Sequence, residues 1–190
     1  MNDIAQNWDL CLDAANAIYS NKKANPRYAF DVATQMLGTI YQESNGRTRR
    51  QFGLERVEYV GAFGITQIEW PTIKECLKRL DKKPAMAVRL ARFVFERDGY
   101  DVCWYKHVTL WRKEAILWTL QTSDRLAIAL TRVNYSRFPP RIPEGADEQS
   151  RYWKAHWNTP RGKGTAHEYQ DNWLRYCERF ISELKAGRRE

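Results

Sequence analysis

Long apolar runs are missing from this chain. No stretch of its 190 residues is apolar for long enough to cross a bilayer, and the opening MNDIAQNWDLCLDAANAIY has neither the basic flank nor the apolar run of a secretory signal. No membrane insertion is expected, and the chain reads as one made and retained in the cytoplasm unless something else carries it out. Cysteine is scarce and scattered: Cys11, Cys76, Cys103 and Cys177 lie far apart with no CxxC pair. That pattern excludes a zinc knuckle or a redox motif and leaves free buried thiols. The 3 histidines, His107, His156 and His167, have no ligand spacing, so neither a metal nor another cofactor is expected. Internal repeats and low-complexity tracts are also absent from the sequence.

What is present is positive charge and aromatic bulk. Lys and Arg number 31 against 23 Asp and Glu, a net charge of +8 with a pI near 9.4. Such a balance implies an anionic partner, and nucleic acid, an anionic membrane surface or the phosphate-rich bacterial envelope would each satisfy it. Nucleic acid is not expected, because no zinc-finger spacing or RNP-like aromatic motif accompanies the charge and the basic residues are spread along the chain. With 43% hydrophobic and 13% aromatic residues, the chain can fill one core but not two of ordinary size. Residues 1–190 are therefore expected to form a single domain.

Apolar spacing is helical almost throughout, which makes the expected class all-α with a small β or irregular lobe. Trp8, Leu12, Ala15 and Ile18 or Tyr19 mark a first helix, and Asn25-Pro26 opens a second that runs to about Glu43. Residues 46–70 form one long irregular stretch, with β-prone pieces at Val57 to Val60 and Ile65 to Ile68 suited to a small hairpin. A loop of this length inside a compact domain is usually functional. Helical spacing resumes after Pro71-Thr72 in Ile73, Cys76, Leu77 and Leu80, then in Met86, Leu90, Val94 and Phe95, then in Trp104, Val108, Trp111, Ala115 and Trp118.

Asp124 is placed to cap the next helix, which stops before Pro139-Pro140. Pro139 to Asp147 reads as a surface connector. Residues 147–190 read as a C-terminal helical extension: a short helix with Tyr152, Trp153 and Trp157, then a last helix with Tyr169, Trp173, Tyr176 or Cys177, Phe180 and Leu184. Thr165 and Glu168 form the capping box that starts this last helix.

One carboxyl stands out chemically. In MLGTIYQESNGRT, Met36, Leu37, Ile40 and Tyr41 bury one helical face, and Glu43 lies where that helix ends, before Ser44, Asn45 and Gly46. A carboxyl there can be half desolvated. Desolvation disfavours its charged form and raises its pKa, as a general acid working near neutral pH requires. Spacing alone fits a solvated helix-end charge as well.

Glu43-Ser44, followed by Gly61-Ala62-Phe63-Gly64-Ile65-Thr66-Gln67-Ile68 and Pro71-Thr72, resembles the first two motifs of lytic transglycosylases and goose-type lysozymes. The family pattern is E-S, then G-x-x-G-L-M-Q, then P-x-T; the resemblance covers roughly residues 28 to 74, and Thr66 stands where the family more often has methionine. A third motif, an alanine-rich helix ending in Y-N-x-G, has a partial counterpart in Ala127 to Ser136; Asn134 matches, while Val133 replaces the tyrosine and Ser136 the glycine. Tyr152-Trp153-Lys154 together with Asn158 to Thr165 is similar to a segment of bacteriophage proteins that carry this lysozyme-like domain.

The resemblance implies cleavage of the β-1,4 bond between N-acetylmuramic acid and N-acetylglucosamine in peptidoglycan. Glu43 would first protonate the leaving oxygen, then remove the C6 hydroxyl proton to close a 1,6-anhydro ring. A phage product of this kind would act in the periplasm or cell wall, reaching it through a membrane lesion at lysis or inside a virion. Glycan strands, and virion proteins beside them, are the expected partners.

Several side chains are candidates for holding the saccharide. Ser44 would hydrogen-bond the sugar or the acid, or simply end the helix. Gln67 matches the family's cleft-facing glutamine, and a carboxamide suits hydroxyl and N-acetyl groups. Gly64 and Ile65 belong to the motif segment beside the ligand, Gly64 chiefly for backbone geometry. Asn134 would reach the N-acetyl group, and Tyr135 and Trp70 would stack on sugar faces. Candidates for a second carboxylate are Glu55, Glu58 and Glu69; one of the first two across the cleft with room for water would make the enzyme a hydrolytic lysozyme. The competing classes are an inert virion protein that keeps the fold and a chitin-directed glycosidase.

Overall fold

The computed structural model describes residues 4–18, 25–47, 61–95, 113–139, 141–159 and 162–187. It is all-α with one small two-stranded lobe. Helix α1 (Ile4–Ile18) packs along α2 (Pro26–Ser44), and a hairpin of β1 (Ala62–Phe63) and β2 (Ile68–Glu69) leads into α3 (Trp70–Asp81) and α4 (Pro84–Phe95). Then come α5 (Lys113–Thr122), α6 (Asp124–Tyr135) and α7 (Ala146–Trp153). Helix α7 continues into a π-helical turn over Lys154–Asn158, and α8 (Ala166–Tyr176) and α9 (Glu178–Ala186) close the chain.

Helix α2 is the central element. The Asn25 side chain accepts from the Arg27 amide at 3.0 Å and Pro26 occupies the first turn, where its missing N–H costs nothing. Asn45 ends the helix in the left-handed conformation (φ 52°), and its amide donates to Tyr41 O. The sequence predicts one buried face, whereas every residue from Ala29 to Tyr41 is buried. Thr34 and Thr39 tolerate this by donating to the carbonyls of Phe30 and Gln35, at 2.8 and 2.9 Å. Gly38 allows α8 to approach closely, since a Cβ there would lie 2.0 Å from Tyr169 Oη.

The core joins these helices through Ile18, Met36, Leu37, Ile40, Phe63 and Leu80, all fully buried. Cys11, Cys76 and Cys177 are buried free thiols, and burial pushes all three up in pKa. No helix among the described residues is long and apolar enough to cross a membrane.

Several expected boundaries shift. The hairpin pairs Ala62 with Glu69 and Phe63 with Ile68; Ile65 to Gln67 lie in its turn, because Gly64 (φ 73°) and Gln67 (φ 49°) reverse the chain there. Helix α3 starts at Trp70, ahead of Pro71. In α5 the buried stripe is Ile116, Leu117 and Leu120; Ala115 is exposed and Trp118 is 64% exposed. Ser123 occupies the cap position of α6, and Asp124 is its first helical residue, at the end of the helix dipole that favours a carboxylate.

The capping box forms, with Thr165 N donating to Glu168 Oε2 at 2.6 Å and Glu168 N donating to Thr165 Oγ1 at 3.1 Å. The last helix is nevertheless two helices, interrupted at Cys177 (φ −110°). Trp104, Val108 and Trp111, the β-prone piece Val57 to Val60, and Cys103 and His107 lie outside the described residues.

Candidate active site

Glu43 lies in the last turn of α2, half-buried, on a cleft of about 700 Å³. Four segments complete that cleft. The hairpin contributes Gln67, Ile68 and Glu69; the first turn of α3 contributes Thr72; the end of α6 and the residues after it contribute Asn134, Arg137 and Phe138; the π-turn and the loop after it contribute His156 to Thr159 and Gly162 to Gly164.

The Glu43 carboxyl is pushed up from its ordinary 4.5 to about 7. Burial is the largest cause; hydrogen bonds from the Trp153 and Trp157 indoles pull the other way, and the Glu69 carboxylate adds to the rise. The contact with Trp153 is direct: its Nε1–H donates to Glu43 Oε1 at 3.1 Å. The negative end of the α2 dipole also disfavours charge at this position.

Ser44 does not face the cleft. Its Oγ lies 3.0 Å from Ile40 O and 2.7 Å from Ile65 O, so the hydroxyl fastens the end of α2 to the hairpin turn. Ile65 is itself core, 1% exposed. Gly64 packs against α6, where a Cβ would meet Ala127 Cβ at 2.8 Å; it shapes the backbone and contacts no open space.

Gln67 does line the cleft, and its Nε2 donates to Gly64 O at 2.8 Å, which fixes the carboxamide on its own turn. Asn134 also borders the cleft, with Oδ1 accepting from Arg137 at 2.9 Å.

Two aromatic assignments are corrected. Tyr135 is 2% exposed, its hydroxyl 2.6 Å from Thr39 Oγ1 and its ring tilted against Tyr152 and Trp157; no sugar can stack on it, because α6 turns it inward toward α2. Trp70 is partly buried on α3 under Lys113 and is not among the cleft-lining residues, because its ring packs against the core. Glu55 and Glu58 lie outside the described residues. Among those described, Glu69 is the carboxylate that shares the cleft with Glu43.

The wall formed by residues 154–159 and 162–164 is the part that sequence reasoning did not assign to the site. Lys154 Nζ donates to Asn158 Oδ1 at 2.7 Å and to Gly162 O at 2.8 Å, which closes the loop on itself. Gly162 is required there, since a Cβ would fall 2.2 Å from Asn158 O. His156 stacks on Phe138 with centroids 4.4 Å apart and packs edge-on against Tyr152; burial lowers its pKa, which favours the neutral ring. The aromatic cluster in Tyr152, Trp153 and Trp157 was the available sequence signal, but it points to a core helix equally well.

The chain matches no family model, and no curated protein or solved structure matches it. Among the described residues, no group of His, Cys, Asp and Glu is placed to hold a metal ion. Burial thus holds the Glu43 carboxyl up near 7 in a cleft that it shares with Glu69 and that amides and aromatic rings wall.

Proposed function

We propose that this protein cleaves the β-1,4 glycosidic bond between N-acetylmuramic acid and N-acetylglucosamine in bacterial peptidoglycan, with Glu43 as the acid. The observation that carries the reading is a half-buried carboxyl raised to about 7 in an open cleft, at the position where Glu-Ser and Gly-x-x-Gly-Ile-x-Gln resemble lytic transglycosylases and goose-type lysozymes. The neutral carboxyl gives its proton to the glycosidic oxygen as the C1–O bond breaks. The carboxylate left behind takes the proton of the C6 hydroxyl, whose oxygen bonds to C1 and closes a 1,6-anhydro ring. Water takes no part. Gln67 and Asn134 supply amide edges for the N-acetyl and hydroxyl groups. The net charge of +8 suits an anionic wall. Action in the wall, at lysis or as a virion component, fits the resemblance of residues 152–165 to phage segments.

Glu69 favours a second reading. It lies in the same cleft and its charge raises Glu43, so a water activated by Glu69 would give hydrolysis instead. Purified peptidoglycan cleared by the wild-type protein and not by Glu43→Gln supports the assignment, since general acid catalysis contributes about 10² to 10⁴ in rate. A variant that keeps more than about a tenth of the activity would refute it. Loss of activity in Glu69→Gln with reducible product ends would choose hydrolysis.

A further inference from the structure

The carboxyl of Glu43 is held by a residue 110 positions away, on a different helix: Trp153, the last residue of α7. Trp153 is 0% exposed. Its ring packs on Tyr169 with centroids 5.4 Å apart, and Gly164 leaves it room, since a Cβ there would be 2.8 Å from Trp153 Cη2. A side chain so enclosed cannot rotate to find another acceptor, so its one N–H stays directed at Oε1.

We propose that Trp153 is the positioning residue of the proposed catalytic acid, an indole clamp that fixes the orientation of the Glu43 carboxyl before and after proton transfer. This rests on the functional reading above only for what the acid acts upon. An indole is a donor with no acceptor and no charge. Against the neutral acid it binds the carbonyl oxygen, which leaves the O–H on Oε2; against the carboxylate it binds the same atom, so the group need not turn between giving a proton and taking one. An arginine here would pair with the carboxylate and hold its pKa far below neutrality, and a serine or tyrosine hydroxyl could reverse donor and acceptor. Trp157 gives the same carboxyl a second indole partner. The end of α7 and the π-helical turn thereby become part of the site.

A merely structural Trp153 would fill the same volume, so the test must read the N–H. Other titratable or charged groups around the cleft are Glu69 from β2, Arg137 after α6, and His156 and Lys163 from the π-turn and loop, with Tyr135 of α6 behind the carboxyl. With the tryptophan indoles labelled with ¹⁵N and assigned, the Trp153 Nε1–H resonance is followed from pH 5 to 9 in the wild-type protein and in Glu43→Gln. A shift with a midpoint near the Glu43 value of about 7, absent in Glu43→Gln, is the expected result. A resonance that does not move, or that titrates equally in Glu43→Gln, overturns the clamp.

Trp153→Phe keeps an aromatic ring, smaller than the indole, and deletes the donor. Its kcat on peptidoglycan should fall about tenfold with KM within about twofold, and the alkaline limb of its pH profile should move upward, because a bond that favours the carboxylate has gone. An unmoved limb in a folded Trp153→Phe also overturns the proposal. The indole titration requires neither this variant nor any substrate, so it still decides if Trp153→Phe does not fold. A protein that shows the titration but leaves peptidoglycan intact would refute the functional reading and retain the clamp.

Discussion

Ser44 Oγ lies 2.7 Å from the carbonyl oxygen of Ile65, which joins the residue after the acid to the turn of the hairpin. Two motifs separated in sequence meet in that bond. The hydroxyl is buried and faces two carbonyls, so its contribution is to hold the Gln67 side of the cleft against the end of α2.

Ser44→Ala should therefore destabilise the fold by about 1–2 kcal/mol, leaving carbonyl oxygens short of a donor. Calorimetry should show the melting temperature falling by roughly 2–4 °C per kcal/mol. Steady-state kinetics should show a lower kcat with an unchanged KM. A raised KM at unchanged stability would mean that Ser44 meets the saccharide.

Glu43 should cost stability at the pH where it works. Its folded pKa, about 7, is above its ordinary 4.5, so between those values the folded state keeps a proton that the unfolded state has lost. Stability from the neutral carboxyl is fully present below about 4.5 and declines as pH rises through 7. Glu43→Gln does not titrate, and its amide oxygen can still accept from Trp153. It should melt higher than wild type at pH 8, by an amount on the order of 2 kcal/mol, with the gap closing by pH 5. A gap independent of pH would contradict the shift.

Gly162→Ala tests the cleft wall. Its Cβ would meet backbone, 2.2 Å from Asn158 O, so the loop closed by Lys154 must move, at a cost of about 1–3 kcal/mol. The acid on α2 is untouched. The expected kinetic change is a raised KM with kcat largely kept, measured on soluble glycan fragments; a lost kcat with normal KM would show that the loop serves the acid more than the ligand.

Much of this arrangement was legible in local sequence. The helix end at Glu43, the capping box at Thr165 and the turn at Gly64 depend on residues within a few positions of each other, and each forms as its own chemistry dictates. What was illegible is tertiary. Nothing near Trp153 announces a carboxyl 110 residues away, and the period of α2 shows one apolar face because Thr34, Gln35 and Thr39 are buried through hydrogen bonds. Trp118 misled by composition: aromatic residues at helical spacing read as a buried stripe, yet Ile116, Leu117 and Leu120 took the core and left Trp118 outside.

Tyr135 carries the same lesson for the site. Adjacent to Asn134 at the end of α6, it reads as a sugar-stacking ring, but it is buried against Thr39. Tyr135→Phe should lower stability by about 1 kcal/mol through the lost hydroxyl contact and leave KM for glycan unchanged. Saccharide titrations followed by fluorescence would expose an error here, because weakened binding would place the ring in the cleft.

Mass spectrometry of the soluble fragments released from purified peptidoglycan tests the central claim most directly. Wild-type protein should release disaccharide peptides ending in 1,6-anhydro-N-acetylmuramic acid, lighter by one water than hydrolytic products and unchanged by borohydride, and Glu43→Gln should release none. Reducible ends that disappear in Glu69→Gln would show water as the nucleophile and contradict the anhydro mechanism, and glycan strands left uncut by the wild-type protein would contradict the proposed function itself.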